Sequence, residues 1–305
     1  MPIVNPDAPI TSQRNDAIIQ QIVQTYPFCR TEVIAQSAFG RPLRTLVIGT
    51  GPRKVIYSAS HHANEWITTW ILLKFAEEFA AAIASGGQIS GVDAAQLAAD
   101  ATIYMVPMVD PDGVDLVAGA IPAGTVEYEV AQRLADKYPS IPFPDGWKAN
   151  LMGVDLNLQY PAGWLQAREI KFSQGFTRPG PRDYVGRAPL NQLESRAMAG
   201  YTEFIDPALV LAFHTQGKLI FWQFRDIEVP GARELGEEFA RLSGYTLSET
   251  PYESSFAGYK DWFIQNFRRP GYTIEAGIGT NPLSIEQFPE IYRDTLPIAV
   301  KAATG

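Results

Sequence analysis

Residues 54–79 read KVIYSASHHANEWITTWILLKFAEEF, and two different periodicities meet inside them. Residues 54–59 are a short, mostly apolar run ending in small residues, the pattern of a buried strand. From Ile67 onward, Ile67, Ile71, Phe75 and Phe79 recur every four positions, which predicts a helix packed by one stripe onto a sheet. A strand running into a covering helix is the building unit of a largely parallel sheet with helices on its faces. The residues between the two elements, including His61, His62 and Glu65, would then lie just past a strand's carboxyl end. Sites in open α/β sheets form in that crevice.

The same alternation extends outward. A first helix is expected over residues 14–25, a strand over 43–48 after the Phe39-Gly40-Arg41-Pro42 turn, and a strand over 102–109. The last of these is closed by Asp110-Pro111-Asp112-Gly113, read as a turn. Residues 119–187 differ in character: Pro139, Pro142, Pro144, Pro161, Pro179 and Pro181 are interleaved with aromatics, the composition of a functional loop region. Helices are expected again at about 190–205, 231–243, 260–266 and 284–302, with strands at 208–213, 219–224 and 271–274. No repeat or Gly/Ser-rich linker divides the chain, so residues 1–305 are read as one catalytic domain.

Composition narrows the function classes. Of 305 residues, 46% are hydrophobic and 19% charged, an ordinary globular balance. A formal charge of -8 argues against a nucleic-acid partner or an anionic membrane surface. Apolar runs fall short of the roughly 20 residues that cross a bilayer. The start, MPIVNPDAPITSQ, lacks a basic segment followed by an apolar one, so a cytoplasmic location is expected. Cys29 stands alone, which excludes an internal disulfide and a cysteine metal site. Only three histidines remain as neutral metal ligands or bases: His61, His62 and His214.

His62 and Glu65 follow one expected strand, His214 follows another, and Glu275 follows a third. Zinc in hydrolases takes three protein ligands from His and Asp/Glu and keeps a position open. His62-x-x-Glu65 with a remote His214 supplies that set, and Glu275 supplies a separate carboxylate for acid–base work. Each part has a plainer reading. Most His-x-x-Glu pairs are surface polar residues, and a histidine ending an apolar strand is more often a hydrogen-bonded core residue. Glu275 is less easily explained away, because a carboxylate between Ile274 and Ala276 must be paired or shifted in pKa. His61 is read as facing the wrong side of the turn.

His61-His62-Ala63-Asn64-Glu65-Trp66 resembles the zinc motif of the zinc carboxypeptidase family, the carboxypeptidase A-like metallopeptidases. Four other landmarks of that family have similar counterparts in the same order. They are Gly40-Arg41-Pro42-Leu43, Asp110-Pro111-Asp112-Gly113, Gly153-Val154-Asp155-Leu156-Asn157 and Phe213-His214-Thr215-Gln216, and Thr273-Ile274-Glu275 resembles the strand bearing the family's catalytic glutamate. The resemblance runs from about residue 15 to the end. It implies a three-layer α/β/α sandwich around a mixed sheet of about eight strands. It also implies one zinc ion held by His62, Glu65 and His214, with Glu275 as the base acting on water. Lys148, following Trp147, stands where the family places an oxyanion-stabilising arginine; it delivers charge without a planar fork.

One departure bears on substrate. Carboxypeptidases of the family follow the asparagine at the position of Asn157 with an arginine that clamps the terminal carboxylate, and here Leu158 follows. Leucine makes no charge-assisted contact, so ordinary trimming of protein C-termini is not expected. Val154–Asn157 with Tyr160-Pro161-Ala162-Gly163-Trp164, and Pro251-Tyr252-Glu253-Ser254-Ser255 through Asp261-Trp262, are similar to a bacterial branch, the γ-D-glutamyl-L-diamino acid endopeptidases. That branch cuts murein peptides between D-glutamate and meso-diaminopimelate, which implies a small murein peptide as substrate. Many members add wall-binding modules, and their lack here agrees with the cytoplasmic expectation. Lys260 falls at the family's specificity position, facing a substrate carboxylate or else simply solvated at a helix end. Tyr252, rather more than Tyr259, is expected to be the mobile pocket cap. Two other readings stay open: an amidase or deacylase of acylated amino acids, and an inactive zinc-binding module.

Overall fold

The computed structural model describes residues 2–305. Its centre is a seven-stranded mixed sheet built from β1 (Leu46–Gly49), β2 (Arg53–Ala59), β3 (Ala101–Val106), β4 (Leu209–His214), β5 (Leu219–Phe221), β6 (Thr246–Ser248) and β7 (Gly271–Glu275), in the spatial order β6-β5-β7-β4-β2-β3-β1. The inner strands β7, β4, β2 and β3 are mutually parallel. β1 runs antiparallel to β3, and β5, with β6 parallel beside it, runs antiparallel to β7. The four inner strands therefore deliver their carboxyl ends to one edge of the sheet.

The strands are two-sided because successive side chains alternate. Val55, Tyr57 and Ala59 of β2, with Leu209, Leu211 and Phe213 of β4, belong to one core. Over that core lie α1 (Ser12–Thr25), α2 (Ile67–Ser85), α3 (Ala94–Asp100), and, later in the chain, α8 (Ala232–Ser243) and α10 (Phe288–Thr304). Ile56, Val210 and Ala212 face the other way, into a second core with α6 (Trp164–Ser173), α7 (Leu193–Ile205) and α9 (Tyr259–Phe267). A third, smaller core joins α4 (Pro111–Val117) and α5 (Val126–Ala135) to Trp147, Ala149 and Leu151. This is the α/β/α sandwich expected, with one strand fewer than the resemblance implied.

The reason lies before β1. The expected strand over 43–48 is interrupted at Thr45: residues Pro42–Arg44 pair with Val33–Gln36 in a separate hairpin, and only Leu46–Gly49 joins the sheet. Upstream of the hairpin, Arg30 makes only a single antiparallel bridge, with Val47. Other boundaries moved for local reasons. β3 stops at Val106, before Pro107 removes a donor. Asp110-Pro111-Asp112-Gly113 is a helix start rather than a turn: Asp110 accepts from the Gly113 amide at 2.9 Å, and Pro111 occupies the first helical position. The expected strand over 219–224 is only three residues long, and β6 has no counterpart in the sequence reading.

Two of the sequence landmarks hold each other. The Arg41 guanidinium reaches Asp112 at 2.8 Å, Asp115 at 2.7 Å and Glu127 at 3.0 Å, tying the hairpin to α4 and α5. Among the described residues, no helix is long and apolar enough to cross a membrane.

Candidate metal centre and its cleft

β2 ends at Ala59, and Ser60 turns the chain with φ +48°. The Ser60 amide donates to Thr68 Oγ1 at 2.9 Å, and its hydroxyl lies 2.8 Å from that of Thr69, so the turn is pinned to the first turn of α2. A single 3-10 turn, Ala63–Glu65, then leads into α2. Glu65 thus sits at a helix N-terminus, where the backbone favours negative charge. From the neighbouring strand, His214 is the last residue of β4, and its direct ladder partner on β7 is Glu275. Phe213 and Ile274 face the first core, so the alternation turns His214 and Glu275 together toward the opposite side.

The result is a compact buried group. His62, Glu65 and His214 each offer one ligand atom, all within 4.8 Å of one another. His62 Nδ1 lies 2.8 Å from Glu65 Oε1, His214 Nδ1 lies 2.9 Å from Glu65 Oε2, and the two Nδ1 atoms are 3.1 Å apart. Ligands around a tetrahedral zinc at its usual bond lengths stand roughly 3.3 Å apart, so this spacing and donor set fit the ion. On its far side, His62 Nε2 is 3.2 Å from Asp155 Oδ1, a partner that orients the ring and leaves Nδ1 for the group. His61 is outside the group, as expected: its Nε2 meets the Tyr160 hydroxyl at 3.2 Å.

Charge follows from these contacts. Burial alone would raise Glu65, yet the two imidazoles hold its carboxyl well below the usual range. Burial opposes charge on His62, but Glu65 and Asp155 outweigh it and raise its pKa, whereas His214, buried as well, is lowered. Glu275 has no such partner. Burial and the nearby Glu65 charge push its carboxyl up to about 8, against the pull of His62 and Lys148. A cation held by His62, Glu65 and His214 would favour the ionised form of Glu275, the form that can take a proton from water.

A cleft of about 910 Å³ opens over this group. Lys148, Asn157, Leu158 and Lys260, all named from sequence, line it together with Glu275. Lys148 stands 3.6 Å from Asp155, which keeps its half-buried ammonium charged. Asn157 Oδ1 accepts from the Tyr259 amide at 2.9 Å, joining this loop to α9. Leu158 is buried, offering hydrocarbon where a clamp would need charge. Lys260 is not a solvated helix-end residue. It is 4% exposed, donates to the Gln223 carbonyl at 2.6 Å and is ion-paired with Asp261.

The two tyrosines separate clearly. Tyr259 is fully buried in the second core with its hydroxyl 2.7 Å from Thr202, so it does not reach the cleft, and the expectation that it might cap the pocket is corrected. Tyr252 is 67% exposed on a 3-10 turn between the cleft-lining residues Pro251 and Ser254. Sequence reasoning gave no role to Asp155, although it lies inside a quoted motif. It also passed over Lys171, Arg182, Asp183 and Asp261 on the cleft wall; Arg182 and Asp183 follow the Pro-Gly-Pro run 179–181, which carries no periodic signal.

A mixed sheet with a His-x-x-Glu turn, a strand-end histidine and a strand-end glutamate defines a metallohydrolase of the carboxypeptidase-like class. The family model described as zinc carboxypeptidase matches residues 16–297, and the chain belongs to that family; it is a zinc metallopeptidase. It is 44% identical over 280 residues to gamma-D-glutamyl-L-diamino acid endopeptidase 1 of Lysinibacillus sphaericus, a match covering 92% of this chain and 68% of that protein. It is 37% identical over 286 residues to the uncharacterized protein YqgT of Bacillus subtilis, covering 93% of this chain and 74% of that one. Among solved structures, the fold is shared with thrombin activatable fibrinolysis inhibitor at TM-score 0.75 and 16% identity, over 96% of this chain and 73% of that one. The murein-tripeptide amidase MpaA of Escherichia coli O157 shares it at TM-score 0.56 and 20% identity, over 89% of this chain and 91% of that one.

Proposed function

We propose that this enzyme hydrolyses the amide bond between γ-linked D-glutamate and a diamino acid in murein-type peptides. His62, Glu65 and His214 hold the metal in this reading, and Glu275 is the general base. Zinc held there would polarise the scissile carbonyl and make a water easier to deprotonate. Glu275 takes the proton from the attacking water and passes it to the departing amine. Lys148 meets the negative charge that develops on the carbonyl oxygen, and Asp155 keeps the His62 ring oriented.

The observation that carries the substrate choice is the buried Lys260–Asp261 pair in the cleft wall. A diamino acid such as diaminopimelate brings a carboxylate and an ammonium on its side chain, and a paired cation and anion complement both. Leu158 supports the same choice, since it leaves the usual position for clamping a C-terminal carboxylate without charge. The relationship to the Lysinibacillus endopeptidase supports it independently.

Mass spectrometry of L-Ala-γ-D-Glu-meso-diaminopimelate against standard carboxypeptidase substrates tests the reading. Cleavage of the γ-glutamyl bond is expected, with little release of single residues from ordinary C-termini. K260A should lower kcat/KM for the diaminopimelate peptide by roughly 10- to 100-fold, the range for losing one hydrogen bond to a charged group. Efficient trimming of ordinary peptides would overturn the assignment.

A further inference from the structure

Besides Lys148 and Lys260, the cleft wall carries a guanidinium that the mechanism above leaves unused. Arg182 lines the cleft with its side chain 42% exposed. Its Nε donates to Asp183 Oδ2 at 2.6 Å, and the other oxygen of Asp183 is held by Lys171 Nζ at 2.9 Å. Asp183 is itself buried, so the guanidinium is anchored along one edge by a fully engaged carboxylate. Its two terminal nitrogens have no protein hydrogen-bond partner among the described residues.

The backbone beneath Arg182 is tied directly to the metal turn. The Pro181 carbonyl accepts from the Lys148 and Ala149 amides at 2.7 and 2.9 Å, and the Lys148 carbonyl accepts from the amide of Ala63, the residue after His62. Arg182 therefore lies beyond β2, on the His62 side. Lys260 donates to Gln223 just past β5, beyond β7. His62, His214 and Glu275, on or after β2, β4 and β7, stand between the two cations. A peptide bond placed at the metal group then sends its two halves toward different positive charges.

This geometry points to Arg182 as the specificity residue for the acyl half, binding the free α-carboxylate of a γ-linked glutamyl residue. The inference rests on the reading that Lys260 and Asp261 receive the leaving diamino acid. A γ-glutamyl amide is made through the side-chain carboxyl, so its α-carboxylate stays free a few bonds from the scissile carbonyl. An ordinary α-linked residue has no free α-carboxylate, because the amide bond has consumed it. An α-linked glutamyl residue keeps a side-chain carboxylate instead, with its amino-bearing carbon next to the scissile carbonyl rather than next to the carboxylate. Terminal guanidinium nitrogens form a planar fork that matches a carboxylate, while Asp183 prevents the fork from swinging away.

Two tripeptides differing in one group test the assignment: L-Ala-γ-D-Glu-meso-diaminopimelate and its D-isoglutamine counterpart, in which that carboxylate is a carboxamide. The wild-type enzyme should favour the carboxylate peptide by roughly 10- to 100-fold in kcat/KM, the range for a charge-assisted bond. R182A should abolish most of that preference by slowing only the carboxylate peptide, with zinc content unchanged, and R182K should restore part of it. Calorimetric binding of L-alanyl-D-glutamate, the acyl product, should weaken in R182A. If R182A keeps the wild-type preference, or slows both peptides equally, Arg182 does not read the carboxylate. Wild-type cleavage of the γ-linked bond with no preference would sink this inference alone. Failure of the wild type to cleave either peptide would sink the substrate reading along with it.

Discussion

The sheet edge and the long connection between α4 and α7 both line one cleft, and they position their side chains by different means. At the sheet edge, position is inherited from backbone pairing: Glu275 faces the site because it is laddered to His214, and His62 because β2 ends three residues earlier. In the connection, long stretches between the helices are irregular, and position comes from local cross-ties such as Asp155 to His62, Pro181 to Lys148 and Asp183 to Lys171. The difference teaches a division of labour. The metal-type group and the base ride on or just after sheet strands, whereas Lys148, Asp155 and Arg182 ride on segments whose side chains can change without disturbing a strand register.

The largest expected effect breaks the sheet side alone. E275Q should lower kcat by about 10²- to 10⁴-fold, the span attributed to a positioned general base, while the protein still binds zinc. Retained turnover, measured on metal-loaded protein, would remove Glu275 from that role. The next effect crosses between the two regions. D155A should cost about 10- to 100-fold in zinc affinity or activity, as losses of ligand-orienting partners do, although Asp155 belongs to the connection. Zinc titration that matches wild type, with normal turnover, would separate the regions more completely than the 3.2 Å contact implies.

The smallest effect is a pH dependence. Glu275 in the metal-free protein has its pKa raised to about 8, so the folded state holds a proton that the unfolded chain releases. That contribution to stability is fully present below the ordinary carboxyl value of 4.5 and is lost as pH rises through about 8. A cation at the His62, Glu65 and His214 group favours the ionised form, and His62, whose pKa is raised, must also lose its proton to bind metal. Apparent zinc affinity should therefore increase between about pH 6 and about pH 8.5, less steeply in E275Q than in wild type. Competitive chelator titration across that range reads the slope, and parallel slopes would exclude Glu275 from the linkage.

Much of the sheet side was legible in sequence. The apolar runs ending at Ala59, Phe213 and Ile274 mark strand ends, and His62, Glu65, His214 and Glu275 are the polar residues just after them. The connection was legible only as irregular. Proline and glycine announce where a chain turns but not which distant segment it returns to. Tyr259 shows the limit at single-residue scale: in sequence it and Tyr252 are equally aromatic and adjacent to the same motif, yet helix α9 buries one in the second core and leaves the other at the rim.

The opening stretch, residues 54–79, by itself determined a strand, a ligand-bearing turn and a helix, because hydrophobic periodicity and turn chemistry are local properties. It likewise determined that His62 and Glu65 stand near enough along the chain to share one ion. Only the tertiary structure decided that Asp155 stands behind His62, that Lys260 is ion-paired inside the wall rather than solvated, and that Arg182 faces the cleft with its fork free. Asp155 and His62 are 93 positions apart, Lys260 and the Gln223 carbonyl 37, and Pro181 beneath Arg182 meets Lys148 33 positions away; such contacts leave no periodic trace in the chain that forms them.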